Sequence, residues 1–264
     1  MSLMRDRVQE ILTGSMDFNT QAYPDAENLR MDAMETARSA YESQMAGFVL
    51  KSAYYPSTPI AYLLNQMYPG LSIIGSITLN QFVGGLNPKA MMSPSSLNTK
   101  VVWIPKSTEN TLTKNYSLSN PMKEILKIIA ANNLVLALDQ LSYSENIIIL
   151  EEAEKNHIPN IVTGFNNDIP NNDNLKHLTD FGAFIEFRFS SCMPPNNPMS
   201  IKDIAEKIKF LGYDKCIVSS DFGQWYNPSP AEGIRLAISS LLKEGLDSTQ
   251  ITQLVKSNPL NILK

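Results

Sequence analysis

The stretch GFVLKSAYYPSTPIAYLLNQMYPGLSIIGSITL, Gly47 to Leu79, contains one complete strand–helix–strand unit. GFVLKS (Gly47 to Ser52) and LSIIGSITL (Leu71 to Leu79) are nearly continuous apolar runs, the pattern of strands buried on both faces of a parallel sheet. Between them, Pro59 to Tyr68 carries a helical pattern, with Thr58 at the N-cap and Pro69 ending it.

The same unit recurs in both directions. Further strands are predicted at Met16 to Asn19, Val101 to Pro105, Leu134 to Leu138, Asn160 to Thr163, Ala183 to Phe187 and Lys215 to Ser219, eight in all. Helices are predicted at Leu29 to Met45, Pro121 to Ala131 with Asn120 as cap, Ser144 to Asn156, Asn172 to Phe181, Ser200 to Leu211 and Pro230 to Lys243. Thr249 to Lys256 and the terminal NPLNILK form a short closing helical piece. Eight strand–helix pairs in 264 residues match the size of a single (β/α)8 TIM barrel over residues 1–264. Residues 1–14 are set apart as an N-terminal extension, the opening Met-Ser-Leu being of the kind an expression vector supplies. A doubly wound open sheet is the alternative, and no GxGxxG turn follows the first strand to favour it.

The charge balance, 22 Lys+Arg against 26 Asp+Glu, lacks the basic excess of a phosphate-backbone binder, so no nucleic-acid partner is expected. No apolar run approaches the roughly 20 residues needed to cross a bilayer, and Arg5, Asp6 and Arg7 stand where a signal peptide has its apolar core. No membrane partner is expected either. Two cysteines, Cys192 and Cys216, without CxxC spacing point to a reducing, cytoplasmic setting.

In such a barrel the site lies at the carboxyl ends of the strands. There the chain carries Asp17, Asn19 and Gln21; Lys51, Ser52 and Tyr54; Asn80 with Gly84 to Pro88; Lys106; Asp139 and Gln140; Gly164 and Asn166; Glu186 and Arg188; and Asp221, Gln224 and Trp225. None is histidine. His157 and His177 fall within or just after predicted helices, on the outer ring, so catalysis by a histidine-activated serine or cysteine has no base in place.

FVLKS (Phe48 to Ser52), ITLNQFVGGLNPKA (Ile77 to Ala90), VVWIP (Val101 to Pro105), GAFIE (Gly182 to Glu186), SSDFGQ (Ser219 to Gln224) and SNPLNIL (Ser257 to Leu263) resemble amidohydrolase-like, metal-dependent hydrolases of the DUF6282 type. The resemblance runs over nearly the whole chain and implies a metal-dependent barrel hydrolase ancestry. It also exposes departures. Where the family carries Asp-x-His-x-His after strand one, this chain reads Asp17-Phe18-Asn19-Thr20-Gln21, and Lys-x-His after strand two becomes Lys51-Ser52-Ala53. Gly-His after strand five becomes Asp139-Gln140, and Thr-His after strand six becomes Thr163-Gly164. Asp221, the strand-eight carboxylate that in amidohydrolases binds metal or takes a proton from the attacking water, matches directly.

Carboxamides are weak ligands for zinc, which favours imidazole and thiolate, so no metal cofactor is expected. The oxygen-rich set Asp17, Asn19, Gln21, Gln140 and Asp221 leaves a weakly bound divalent cation, calcium or magnesium, as the alternative. The expected partner is a small polar molecule held by Asp17, Asn19, Gln21, Arg30, Asn80, Gln140 and Gln224, with Asp221 and Lys51 as the candidate catalytic groups. Asp221 reads either as a retained acid or as a residue bonding the backbone of its loop. Lys51 reads either as a Schiff-base amine or, preferably, as half of a salt bridge to Asp17 or Asp221. Gly84 and Gly85 either cradle an anion or permit a tight turn, and Asp25 and Arg30 either clamp a ligand or pair with each other. Tyr54, Tyr55, Trp225 and Tyr226 suit an aromatic-lined mouth or a homo-oligomer contact. Two functions follow: a binding protein without catalysis, or a hydrolase in which Asp221, with or without a weakly held ion, activates water.

Overall fold

The computed structural model describes residues 2–25, 27–91, 99–106, 113–114, 117–165, 169–195 and 198–264. Eight parallel strands, β1 (Met16–Gln21), β2 (Gly47–Lys51), β3 (Ser72–Thr78), β4 (Thr99–Pro105), β5 (Val135–Asp139), β6 (Ile161–Gly164), β7 (Phe184–Arg188) and β8 (Cys216–Ser219), pair in sequence order. Each falls within one or two residues of the predicted run, because strands buried on both faces announce themselves as unbroken apolar segments. The ring closes beyond the end of β8, where Asp221 N–H donates to Asn19 O at 2.9 Å and Gln21 N–H to Phe222 O at 2.9 Å.

The interior is filled by Phe18, Val49, Val101, Trp103, Val135, Ala137, Val162 and Ile217, with Ile262 added from the C-terminal helix. A second, larger apolar layer lies between the strands and the helices. These helices are α1 (Ser2–Leu12), α2 (Ala33–Glu42), α3 (Thr58–Met67), α4 (Asn120–Ala131), α5 (Tyr143–Lys155), α6 (Asn172–Asp180), α7 (Ile201–Leu211) and α8 (Pro230–Lys243), followed by α9 (Ser248–Thr252) and α10 (Asn258–Ile262). The residues set apart as an N-terminal extension form α1, which buries Val8, Ile11 and Leu12 and packs on α8 and α9.

Three expectations are corrected. The β3–β4 crossover holds short 3-10 turns at Gln81–Val83 and Pro88–Met91 in place of the expected strand–helix pair, with no α-helix among its described residues. Helix α2 starts at Ala33 rather than Leu29, because Asp32 and Glu35 form a reciprocal capping box. Thr58 is the first residue of α3 rather than its cap; the hydroxyl of the preceding Ser57 donates instead to Leu50 O at 2.5 Å.

Candidate functional site

Strand periodicity places charge at the barrel mouth. Moving two residues outward from interior Val49, Ala137, Val162 and Ile217 reaches Lys51, Asp139, Gly164 and Ser219, and β7 alternates Phe184, Glu186 and Arg188 in the same way. On β1 the register slips: Asp17 pairs with Phe48 and Thr20 with Leu50, so Phe18 and Asn19 share the place opposite Val49 and Gln21 comes level with Lys51. Such an insertion re-aims side chains within a strand.

The charged groups form one network. Lys51 Nζ lies 2.7 Å from Asp139 Oδ2 and 4.3 Å above the centre of the Trp103 ring. Arg188 Nη1 lies 2.7 Å from Asp139 Oδ1, and Arg188 Nε and Nη2 both donate to Glu186 Oε2 at 2.9 Å. Ser219 Oγ donates to Glu186 Oε1 at 2.6 Å. Arg188 is 1% exposed, Glu186 2% and Lys51 8%. Burial pushes the Asp139 carboxyl up, but Arg188 and Lys51 outweigh it and hold the group well below the usual carboxylate range. Burial likewise opposes the Arg188 charge, and Asp139, Glu186 and Asp221 more than restore it.

Asp221 stands beside this network in a left-handed backbone conformation, φ 52°, that aspartate adopts more readily than most residues. Its Oδ1 accepts from Gln21 Nε2 at 3.2 Å and its Oδ2 from Ser190 Oγ at 2.8 Å. Burial raises its pKa, opposed by the charges of Arg188 and Lys51.

The structure thus joins Gln21 to Asp221, and it gives Lys51 a partner other than the expected one. The carboxylate is Asp139, which β5 brings level with the mouth, and neither Asp17 nor Asp221. Asp17 sits in register with the outward-facing Phe48, where its Oδ1 accepts from Ser220 N–H at 2.9 Å and its Oδ2 from Thr20 Oγ1 at 2.8 Å and from the Ser220 hydroxyl. It therefore joins β1 to the residues after β8, and its Oδ1 also accepts from the Asn19 N–H at 3.3 Å. Its burial pushes its pKa up to about 6 against these hydrogen bonds.

Asn80 is committed to its own loop: Oδ1 accepts from Phe82 N–H at 3.1 Å and Nδ2 donates to Ala53 O. Gln224 Oε1 accepts from Asn227 Nδ2 at 2.8 Å, and Arg30 Nη1 donates to Trp225 O at 3.3 Å across the β1 and β8 loops. Gln140 is exposed just beyond β5, at φ 60°. Asn166 lies outside the described residues. His157 and His177 are exposed on the outer ring, His177 Nδ1 lying 2.6 Å from Tyr143 Oη. Around the mouth Tyr54 stacks on Phe82 with ring centres 4.2 Å apart, and Trp225 meets Tyr226 edge-on at 5.8 Å.

Arg188 and Glu186, named among the strand ends but given no role, are the residues on which sequence reasoning fell short. The signal was present in Phe184-Ile185-Glu186-Phe187-Arg188, where charge alternates with apolar residues on an otherwise buried strand.

The donor set does not fit a zinc site. Among the described residues no three His, Cys, Asp or Glu side chains converge as metal ligands, and Asp139 and Glu186 already hold an ammonium and a guanidinium.

A model of a family of unknown function, DUF6282, matches residues 14–186. No curated protein is matched by the sequence. Similar solved structures include the probable dipeptidase PvdM from Pseudomonas aeruginosa, with TM-score 0.73, 11% identity and coverage of 99% of this chain and 98% of that one. The phosphotriesterase homology protein from Escherichia coli, complexed with phosphate in its active site, gives TM-score 0.70 at 10% identity, covering 96% and 99%. An organophosphorus hydrolase from Deinococcus radiodurans gives 0.65 at 12% identity, covering 95% and 92%. At such identities the likeness establishes the (β/α)8 barrel fold alone.

Proposed function

The chain belongs to DUF6282, and from that premise we propose that its barrel mouth binds a small polar molecule without a tightly held transition metal. The observation that carries this reading is the Lys51–Asp139–Arg188 ion pair, which occupies the mouth with organic cations. Asp139-Gln140 and Thr163-Gly164 stand where the resemblance puts Gly-His and Thr-His, and a Cβ on Gly164 would overlap Arg188 Nη2 and Glu186 Oε2. The ligand would meet Gln21, Asp221 and Gln140, carboxamide and carboxyl groups suited to hydrogen bonding. Two free cysteines, and no described helix long and apolar enough to span a membrane, agree with a cytoplasmic setting.

Elemental analysis of the tag-free protein by plasma mass spectrometry tests the metal part of the reading. Zinc, manganese or iron well below stoichiometry is expected, and near-stoichiometric metal would overturn it.

A second reading has Asp221 as general base for hydrolysis. Its raised pKa favours this, since a base works best when its pKa approaches the operating pH. Asp221→Asn separates the two: a hydrolase loses roughly 100-fold or more in kcat, whereas a binding protein changes only in affinity. For Lys51 as a Schiff-base amine the geometry offers no support, because its partner is a carboxylate rather than the apolar or cationic surroundings that activate an amine.

A further inference from the structure

Asn19 is fully buried, and neither its Oδ1 nor its Nδ2 has a hydrogen-bond partner among the described residues. A carboxamide in a folded core is normally paired, since desolvating its donors and acceptor without compensation is costly. Trp103, also in the barrel interior, shares the condition: it is fully buried and its Nε1–H is unpartnered. Phe18, next to Asn19 in the chain, packs edge-on against Trp103 with ring centres 5.6 Å apart, and the bulge puts Phe18 and Asn19 together opposite interior Val49.

The cations nearby are already matched. Lys51 and Arg188 share Asp139, Arg188 also holds Glu186, and Asp221 accepts from Gln21 and Ser190. An anionic ligand would bring a buried charge with no free cation to meet it, and a cationic one drawn to Asp221 would meet the charges of Arg188 and Lys51. The unmet demand at Asn19 is for one acceptor, to take its N–H, beside one donor for its Oδ1.

Building on the ligand-site reading above, we infer that Asn19 is the recognition group of that site and that its ligand is a small uncharged molecule presenting an N–H donor next to a C=O acceptor, as a primary amide, a urea or a lactam does. Such an edge meets the Asn19 carboxamide through two reciprocal hydrogen bonds.

The test titrates the full-length protein with acetamide, urea and 2-pyrrolidinone against the charged probes acetate and guanidinium, by saturation-transfer NMR and calorimetry. Asn19→Leu, which keeps the shape and removes both orphaned groups, is compared with the parent. At least one neutral probe should bind the parent and bind Asn19→Leu at least 10-fold more weakly. Because the variant no longer buries unpaired polar atoms, its Tm should rise by roughly 2–4 °C. A lower Tm, or equal binding of the neutral probes to both proteins, would overturn the assignment of Asn19. Charged probes that bind the parent and Asn19→Leu alike, and are lost in Asp221→Asn, would overturn the ligand class while leaving a ligand site at the mouth. No binding by any probe would overturn both. The parent's choice between neutral and charged probes decides the class even if Asn19→Leu does not fold.

Discussion

Gly164 is bare where the guanidinium of Arg188 lies: a Cβ at this position would overlap Arg188 Nη2 and Glu186 Oε2. The absence of one methyl group lets Glu186 and Arg188 of β7 lie over the end of β6, from where Arg188 reaches Asp139. Gly164→Ala should therefore push Arg188 off Asp139 and destabilise the fold by about 1–3 kcal/mol, the usual range for overpacking a tight site. Denaturant titration measures it; an unchanged midpoint would mean that Arg188 has room to move.

Asp139 is the carboxylate on which both cations depend. Its Oδ2 faces Lys51 and its Oδ1 faces Arg188, each at 2.7 Å. Asp139→Ala leaves two buried cations short of a partner and should cost about 3–5 kcal/mol in chemical denaturation, the range for breaking a buried pair. A loss below 1 kcal/mol would show that water reaches the network.

The two buried aspartates impose opposite pH dependences. The folded-state pKa of Asp17 is raised from 3.8 to about 6, so the folded state holds a proton that the unfolded chain has released between those values. Its contribution is complete below about pH 4 and is lost as pH rises to 6, a change of about 3 kcal/mol. Asp17→Asn should flatten the stability profile across this window. Asp139 has a lowered pKa, so its contribution is present above about pH 4 and is lost as pH falls further.

Ser220 closes the ring from the β8 side, with its backbone N–H and its hydroxyl both on Asp17. Ser220→Ala removes one of these bonds from a buried carboxylate and should cost about 1–3 kcal/mol. The same change should move the Asp17 titration upward, readable by NMR as a shift of its carboxyl midpoint above 6.

Much of the architecture was legible in the chain because it rests on local properties. Burial on both faces makes a strand an apolar run, and the eight runs stand in the order in which the strands pair. Asp221 and Lys51 were recognisable as groups at the barrel mouth, since a residue just past a barrel strand emerges there. That the described residues between β3 and β4 hold no α-helix was less visible; there Asn80 caps a 3-10 turn.

By itself, the sequence determined the barrel, the order of its strands and the absence of histidine from their carboxyl ends, all consequences of residue type and short-range periodicity. The tertiary structure decided the pairings. Lys51 meets Asp139 across 88 residues and Asp17 meets Ser220 across 203, contacts set by the stagger of strands around a closed ring. The bulge in β1 changed which side chains of Asp17 to Gln21 face the interior, and the bare Cα of Gly164 made room for Arg188. Such partners follow from register and closure, which depend on all eight strands at once and leave no mark in the spacing of any one of them.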